Sequence, residues 1–451
     1  MPSFSVYTLG CKLNQAETEA IASSFKKAGW TLLPWNQDDG DDSRDLIIIN
    51  TCTVTSMAEQ KARRVIRQVL RDMSARVIVT GCYAQLEENA IAALAGEADK
   101  DRLLVIPGSR KGSIADLPAQ WLKAQAVSGL PPPSDLWNPE DFSFHSRPFI
   151  KIEDGCDRRC SYCRVSLARG KSRSLEAEKA LGIIRMLEEK GAAEAVLTGV
   201  NLNQYRDTST GLDLAGLLAY LLEGTDRINL RLSSLEPEGL TSDLLKVLAL
   251  RRIRPHFHLS VQSGSAVILE KMRRPYGPEA VEQAVAALRS VKDDPFLAAD
   301  FIAGFPGETV EEFEKTLALC RRVGFAWIHA FPYSPRQGTE AFLFKNPVTE
   351  REAGKRVKAL LALARQGREA YIRRWTDRET EAVFETGHFP GFAPALSANY
   401  LKLLVKLPPG LPAAALASPG RPFRCLLRPF PPEEGPLPAS FDAAAEFLAN
   451  L

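Results

Sequence analysis

Nine residues near the middle of the chain constrain it most: Gly155-Cys156-Asp157-Arg158-Arg159-Cys160-Ser161-Tyr162-Cys163, a C-x3-C-x2-C loop directly after the strand-like run Phe149-Ile150-Lys151-Ile152. Thiolates are soft ligands suited to iron–sulfur clusters, and this spacing lets one short loop wrap three corners of a cubane. Three ligands leave the fourth iron open, and an open metal position is what lets a substrate bind the metal directly. A structural zinc site is the competing reading. It normally needs a fourth ligand, and none of the five histidines, His145, His256, His258, His329 and His388, stands at finger spacing around the loop.

A second trio lies upstream. Three strand-like runs each end in a cysteine: Ser5-Val6-Tyr7-Thr8-Leu9-Gly10-Cys11, Leu46-Ile47-Ile48-Ile49-Asn50-Thr51-Cys52 and Val77-Ile78-Val79-Thr80-Gly81-Cys82. Helical patterns follow each run, which predicts β-α repeats and a parallel sheet. Parallel strands end on one edge, the edge where open α/β sheets bind ligands, so Cys11, Cys52 and Cys82 have a route to convergence. Taken singly, each also fits a small buried hydrophobe. Eight cysteines in 451 residues are too few for a disulfide scaffold, and clustered ones in a reducing compartment point to metal.

At roughly 150 residues per domain, this length predicts about three domains. We expect boundaries at 1–127, a Pro-rich linker at 128–147, a central domain at 148–375 and a small domain at 376–451. In the central part, strand-like runs recur at 195–198, 228–232, 256–260, 297–303 and 326–331, separated by amphipathic helices such as 212–222, with Leu214, Leu217, Leu218 and Leu221 on one face. Six β-α units imply a partial barrel whose ligand chemistry gathers at the strand C-terminal ends. The segments there are Thr198-Gly199-Val200-Asn201, Ser233-Ser234-Leu235-Glu236-Pro237, Gln262-Ser263-Gly264-Ser265, Gly304-Phe305-Pro306-Gly307-Glu308-Thr309 and Tyr333-Ser334-Pro335-Arg336. Glycine allows close backbone approach, and the polar residues supply hydrogen bonds. Each segment alone also reads as an ordinary turn.

The net charge of +2 allows only local basic surface. The helical pattern 350–375 carries Arg351, Lys355, Arg356, Lys358, Arg365, Arg368, Arg373 and Arg374 against Glu350, Glu352 and Glu369, a local +5. A second basic run, Lys61, Arg63, Arg64, Arg67 and Arg71, follows the Cys52 strand. Either fits a phosphate-binding surface or a solvated helix face. The tail 376–451 is net −2, and prolines crowd 408–438, so a β domain there is expected to be short or degenerate. The remaining cysteines, Cys320 and Cys425, read as inert packing residues. No run approaches the roughly 18 apolar residues of a membrane span, and Met1-Pro2-Ser3-Phe4 opens no signal pattern, so a cytoplasmic protein without membrane contact is expected.

The C-x3-C-x2-C loop, with Tyr162 before its last cysteine, resembles the signature of the radical S-adenosylmethionine (SAM) enzymes. The stretches TLGCKLNQAETEA, INTCTVTSMAEQKARRVIRQ and VTGCYAQ resemble the N-terminal domain of the methylthiotransferases. Branches of that family usually carry Gln-Met-Asn or Pro-Lys-Asn after the first cysteine. Lys12-Leu13-Asn14-Gln15 and Thr53-Val54-Thr55 are instead similar to the branch acting on threonylcarbamoyladenosine in tRNA. The resemblance implies an α/β fold: a parallel N-terminal domain, a radical-SAM partial (β/α)6 barrel and a small C-terminal TRAM-like β domain. It implies two [4Fe-4S] clusters, a radical-forming one at Cys156, Cys160 and Cys163 and an auxiliary one at Cys11, Cys52 and Cys82. It further implies a SAM pocket drawing on Gly199, Asn201, Ser234, Glu236, Gln262, Gly304 and Gly307. Arg169 matches a family position, whereas Val165-Ser166 departs from the usual Val-Pro. The implied reaction is methylthiolation at C2 of the threonylcarbamoyl-modified adenosine 3′ of the anticodon, with tRNA and a flavodoxin- or ferredoxin-like electron donor as partners. The sulfur donor stays unnamed. Methylthiolation of isopentenyl-adenosine or of a ribosomal-protein aspartate is the alternative, and a non-catalytic iron–sulfur RNA-binding module is a reading of a different class.

Overall fold

The computed structural model describes residues 1–35, 44–117, 139, 141–142, 144–387, 389–407, 420–430 and 437–450. Most of the expected linker, His388 and much of the proline-crowded stretch 408–438 lie outside the described residues.

The first sheet has five parallel strands in the order Thr31–Leu32, Ser3–Thr8, Leu46–Thr51, Arg76–Gly81, Leu103–Val105. Leu46–Thr51 is buried along its whole length, as its unbroken apolar run requires of a central parallel strand. Thr8 pairs with Asn50 and Asn50 with Thr80, so the three strands finish level and the chain leaves each at the same edge. Cys11, Cys52 and Cys82 follow at that edge.

Six further parallel strands form the partial barrel: Phe149–Lys151, Glu194–Thr198, Asn229–Leu232 with its continuation Ser234–Leu235, His256–Gln262, Phe296–Ala303 and Trp327–Pro332. The ladder breaks only at Ser233, between Leu232 and Ser234. Helices Ala177–Glu189, Leu214–Glu223, Ser242–Leu248, Pro278–Val291, Val310–Val323 and Glu350–Trp375 follow the strands, and the largest apolar core runs through these strands and helices. The helix expected over 212–222 starts at Leu214 because Asp213 caps it, its carboxylate accepting from Gly216 N–H at 2.9 Å. Leu214, Leu217, Leu218 and Leu221 are all buried.

The C-terminal part corrects one expectation. It is a closed five-stranded barrel in the order Glu379–Phe384, Phe392–Ser397, Lys402–Lys406, Ala443–Asn450, Pro422–Arg428, and not a degenerate remnant. Phe384 and Phe423 stack inside it at 4.0 Å, next to the fully buried Cys425. Its seam with the central barrel is partly apolar, through Phe296, Tyr371 and Trp375, and partly ionic. Arg231 and Arg254 both hold Glu194, at 2.6 and 3.0 Å, and Arg254 continues to Glu381 at 2.7 Å. Burial alone would raise the Glu194 carboxyl; Arg231 and its neighbours bring it down to about 2. No helix among the described residues is long and apolar enough to cross a membrane.

Helix Glu350–Trp375 runs down the outside of the barrel. At its first turns, Gly304 faces Ala353, and a Cβ built on Gly304 would lie 2.6 Å from the Ala353 Cβ, at a backbone φ of +80°. Gly304→Ala should therefore lower stability by about 1–3 kcal/mol through overpacking and left-handed strain, measured as a shifted urea midpoint at unchanged m-value. An unshifted midpoint would mean that the helix docks without this close approach.

Candidate active site

The C-x3-C-x2-C loop leaves strand Glu153–Asp154 through Gly155, whose φ is +85° and whose missing Cβ would collide with Lys171 O at 2.0 Å. Only glycine makes that turn. The loop is then pinned by Ser161, whose N–H donates to Met272 O (3.1 Å), whose hydroxyl donates to Lys271 O (2.7 Å) and whose carbonyl accepts from Ala341 N–H (2.7 Å). After Cys163 the short helix Val165–Arg169 forms with Gly170 N–H bonded to Ser166 O at 2.9 Å, so Ser166 leaves the turn ordered.

Cys156, Cys160 and Cys163 open on a cavity of about 270 Å³ at the strand C-terminal ends, shared with Asn201, Glu236 and Gln262. Of the other residues expected around SAM, none lines it directly. Gly199 stands one residue back, where a Cβ would meet the Glu153 carboxylate at 2.7 Å. Ser234 Oγ is engaged with His258 Nδ1 at 3.0 Å, Gly304 faces the long helix, and Gly307 lies against Lys271 Nζ.

Several further groups at the cavity stand outside the expected SAM set. Arg274 Nη1 donates to Glu236 (2.8 Å) and reaches Cys160 Sγ (3.5 Å), while Arg158 Nε donates to the other Glu236 oxygen at 3.1 Å. Glu153 accepts from Asn201 N–H and Ser172 Oγ, both at 2.8 Å; burial pushes its carboxyl up to about 7 against the pull of those bonds. His258 Nε2 lies 2.9 Å from Asp300, which lines the cavity. Tyr333 also lines it, with a buried hydroxyl that has no partner among the described residues. Two of these were legible in principle. His256, His258, Ser260 and Gln262 alternate along one strand, as inward-facing residues do, and Asp300 is a lone acid in an apolar strand run.

At the upstream trio, Cys52 and Cys82 are buried and Cys11 is exposed, and the three are near enough to feel one another's charge. Asn14 ties the first two strand ends together, its Nδ2 donating to Leu9 O (2.8 Å) and Thr51 O (2.9 Å). Gly10, at φ +113°, lets the chain pass Cys52: a Cβ there would stand 3.2 Å from Cys52 Sγ. Cys82 opens on a second cavity, of about 390 Å³, shared with Glu17, Lys111 and Arg169. Arg169 is buried against Glu17 (2.9 Å), Asp154 (2.8 Å) and Asn14 (2.7 Å), joining the first sheet to the central barrel.

Val54 and Thr55, two and three residues past Cys52, line the same cavity as Cys156, Cys160 and Cys163. One carboxylate holds this juxtaposition. Glu59, on helix Ser56–Asp72, accepts from Thr53 Oγ1, from Arg164 Nη1 (3.1 Å) and from Arg336, which also donates to Thr53 Oγ1 at 3.1 Å. Ser56 N–H adds a bond to Ser334 Oγ at 3.1 Å.

The donor chemistry fits clusters at both trios. Burial pushes Cys52 and Cys156 up to about 12 and Cys163 up to about 11, so these thiols become thiolates only where a metal supplies the opposing charge. Donors already face the sulfurs: Val54 N–H at 3.5 Å from Cys52 Sγ and Val165 N–H at 3.4 Å from Cys163 Sγ. Among the described residues no three Cys, His or carboxylate groups close around a single ion. A cubane offers each thiolate a separate iron and so takes a wider ring. Cys320 and Cys425 are buried far from both trios in sequence, each pushed up to about 12 by burial alone or chiefly so.

Glu59→Gln removes the charge between two buried arginines, and the loss of one partner from such a cluster costs about 3–5 kcal/mol. Chemical denaturation should detect this, with Glu59→Asp intermediate; equal stability of all three proteins would mean the arginines find other partners.

Two family models match the chain: "Uncharacterized protein family UPF0004" over residues 3–100 and "Radical SAM superfamily" over residues 150–320. The chain is 40% identical to the threonylcarbamoyladenosine tRNA methylthiotransferase MtaB of Treponema pallidum, over 92% of this chain and 97% of that one. It is 34% identical to the MtaB of Aquifex aeolicus, over 83% and 91%. Among solved structures it is similar to the radical SAM methyltransferase TsrM of Kitasatospora setae, with a TM-score of 0.52 at 14% identity over 74% of this chain and 75% of that one, a likeness of fold. Two cysteine trios whose loops meet at one cavity wall, on a parallel sheet and a partial barrel, together with relatives matched over nearly their whole length, establish that the chain belongs to the radical SAM methylthiotransferase family.

Proposed function

We propose that this chain inserts a methylthio group at C2 of N6-threonylcarbamoyladenosine, the nucleotide immediately 3′ of the anticodon in tRNA. An aromatic C–H is too inert for polar substitution, so the hard step falls to cofactors. Cys156, Cys160 and Cys163 would hold a [4Fe-4S] cluster that, with SAM, would supply a 5′-deoxyadenosyl radical, and Cys11, Cys52 and Cys82 would hold a second cluster to support the sulfur to be transferred.

The chain's own residues bind and orient. Asn201, Glu236 and Gln262 offer hydrogen-bonding groups beside the cysteine loop, and Arg158 and Arg274 hold Glu236 at a fixed angle. Gly199, Ser234, Gly304 and Gly307 act one layer out. Gly199 leaves room for Glu153, which fixes the backbone at Asn201. Ser234 orients His258 and, through it, Asp300. Tyr333 brings to the same space a hydroxyl without a partner among the described residues.

The observation that carries this reading is that Val54 and Thr55, from the loop after Cys52, form part of the wall of the cavity at Cys156, Cys160 and Cys163, so groups held at the two trios would face one nucleotide. The choice of threonylcarbamoyladenosine rests on the 40% and 34% identical relatives, both named for it, and on Lys12-Leu13-Asn14 after Cys11. The reading carries with it a flavodoxin- or ferredoxin-like electron donor and a cytoplasmic site of action.

Nucleoside mass spectrometry of tRNA from cells with and without the protein should show the 2-methylthio form of threonylcarbamoyladenosine only in its presence. Loss of the 2-methylthio form of isopentenyl-adenosine instead would move the substrate. The two trios separate by substitution. Cys160→Ala should abolish reductive SAM cleavage. Cys52→Ala should still release 5′-deoxyadenosine but form no methylthio product, each variant keeping about four of about eight irons while circular dichroism shows it folded. Product from folded Cys52→Ala would sink the auxiliary-cluster role.

A further inference from the structure

Helix Ser56–Asp72 starts at the mouth of the cavity, where Ser56 is bonded to Ser334 and Val54 and Thr55 form part of the wall. Ala62, Val65, Ile66, Val69 and Leu70 recur at helical spacing and are buried, which turns the opposite side of the helix to solvent. Met57 stands there, 72% exposed, with Val54 just ahead of it at 56%. Lys61, Arg64 and Arg67 follow on the same side, all exposed. Among the described residues none of these three cations has an ion pair or hydrogen bond, whereas Arg63 is bonded to Tyr83 and Arg71 to Asp72. No acid interrupts the row: Glu59 is turned inward and buried, and the exposed Gln60 is neutral. At about 1.5 Å per residue the row Met57 to Arg67 extends about 15 Å outward from the cavity mouth.

The other basic helix is placed differently. Glu350–Trp375 begins beside Gly304, at the cavity end of the strands, and finishes where Arg374 pairs with Asp294, just ahead of strand Phe296–Ala303 and so at the far end of the barrel. Half of its eight cations are engaged, whereas Arg351, Lys358, Arg365 and Arg373 have no ion pair among the described residues. Arg356 is buried on Glu308, Arg368 is clamped on Asp442 over the Phe296 ring, and Arg374 holds Asp294 at 2.9 Å. The reading of this helix as a phosphate-binding surface therefore fails at Arg356, Arg368 and Arg374, whose donors are spent inside the protein. In the C-terminal barrel, Arg424 and Arg428 are likewise paired, with Glu379 and with Asp377 and Glu446.

A base that reacts deep in a protein cavity has to leave its stack, and its flanking phosphates stay outside at the mouth. Those phosphates need cations that are free, exposed and continuous with the opening. We propose that Lys61, Arg64 and Arg67 form the phosphate track for the anticodon stem-loop of tRNA, with Val54 and Met57 as the apolar lip over which the target nucleotide turns inward. The inference rests on the tRNA reading above and adds the surface that meets the RNA.

The test is Lys61→Gln/Arg64→Gln/Arg67→Gln in the full chain with both clusters loaded, measuring binding of tRNA that lacks the C2 modification across a salt series. Affinity should fall about tenfold or more at moderate salt, and the slope of log K against log salt should flatten by about 0.7–0.9 for each phosphate no longer neutralised. Iron content and tRNA-independent 5′-deoxyadenosine formation should match the unaltered protein, since all three side chains are exposed and outside both cysteine loops. Unchanged affinity and slope would overturn the track. So would an equal loss from Arg365→Gln/Arg373→Gln on the long helix, which should leave binding intact. Failure of the unaltered protein to make a methylthio product while it still binds tRNA would instead overturn the proposed function and leave the track standing.

Discussion

The carboxylate of Glu59 is the joint between the two halves of the chemistry. It sits between Arg164, which directly follows Cys163, and Arg336, which follows the last barrel strand, and it also takes the hydroxyl of Thr53, which directly follows Cys52. A buried ion cluster of this kind adds little net stability, because desolvating the charges offsets most of their attraction. What it fixes is geometry. The short helix Val165–Arg169 is held at both ends by acids of the first sheet's domain: Arg164 by Glu59 and Glu87, Arg169 by Glu17. The cysteine loop thus cannot shift relative to the upstream trio without breaking several charge-assisted bonds at once.

How much of this the sequence carries depends on range. The C-x3-C-x2-C loop is legible because its ligands are local, and the upstream trio because strand ends in a parallel sheet align, as Thr8, Asn50 and Thr80 do. The partial barrel follows from six alternations of strand and helix pattern. Glu59 and Arg336 are separated by 277 residues, and although each lies in a stretch legible by itself, their pairing exists only once the fold brings the last strand beside the first sheet. Gly304 and Gly307 were legible as special positions but not as to what they make room for. Gly304 serves the approach of a helix almost fifty residues on, to which a glycine-rich turn gives no clue.

Charge composition misleads for a related reason. A count of +5 over 350–375 treats Arg356, Arg368 and Arg374 as equivalent to Arg365 and Arg373, yet the first three meet carboxylates from distant segments and the last two do not. On helix Ser56–Asp72 the acids are either buried with other partners, as Glu59 is, or taken by a neighbour, as Asp72 is, so the exposed Lys61, Arg64 and Arg67 form an uninterrupted row. The acidic tail shows the converse: its net −2 and its prolines argued against a full β domain, but closure of the barrel depends on the inward residues Phe384, Leu403, Val405 and Phe423, which composition averages away.

Inside the central barrel, polar groups take the place of an apolar core, and each has to be satisfied or to face a ligand. Most are satisfied. Ser234, His258 and Asp300 form a chain at 3.0 and 2.9 Å, and Glu236 is held by two arginines. These groups are fixed by one another and so are oriented before any ligand arrives, which lowers the reorganisation that binding requires. The Tyr333 hydroxyl is one of three exceptions on the cavity wall, with Asn201 Nδ2 and Arg164 Nε: it is buried, lines the cavity and has no partner among the described residues. A lone donor costs about 1–3 kcal/mol when left unpaired, so its retention on a cavity wall is accounted for when a ligand acceptor completes it. It comes from the segment after the last strand, beside Ser334 and its bond to Ser56, where the first sheet's domain closes over the barrel. The unpaired hydroxyl therefore stands at the junction where both cysteine loops look on, the point at which a nucleotide held between the two would have to lie.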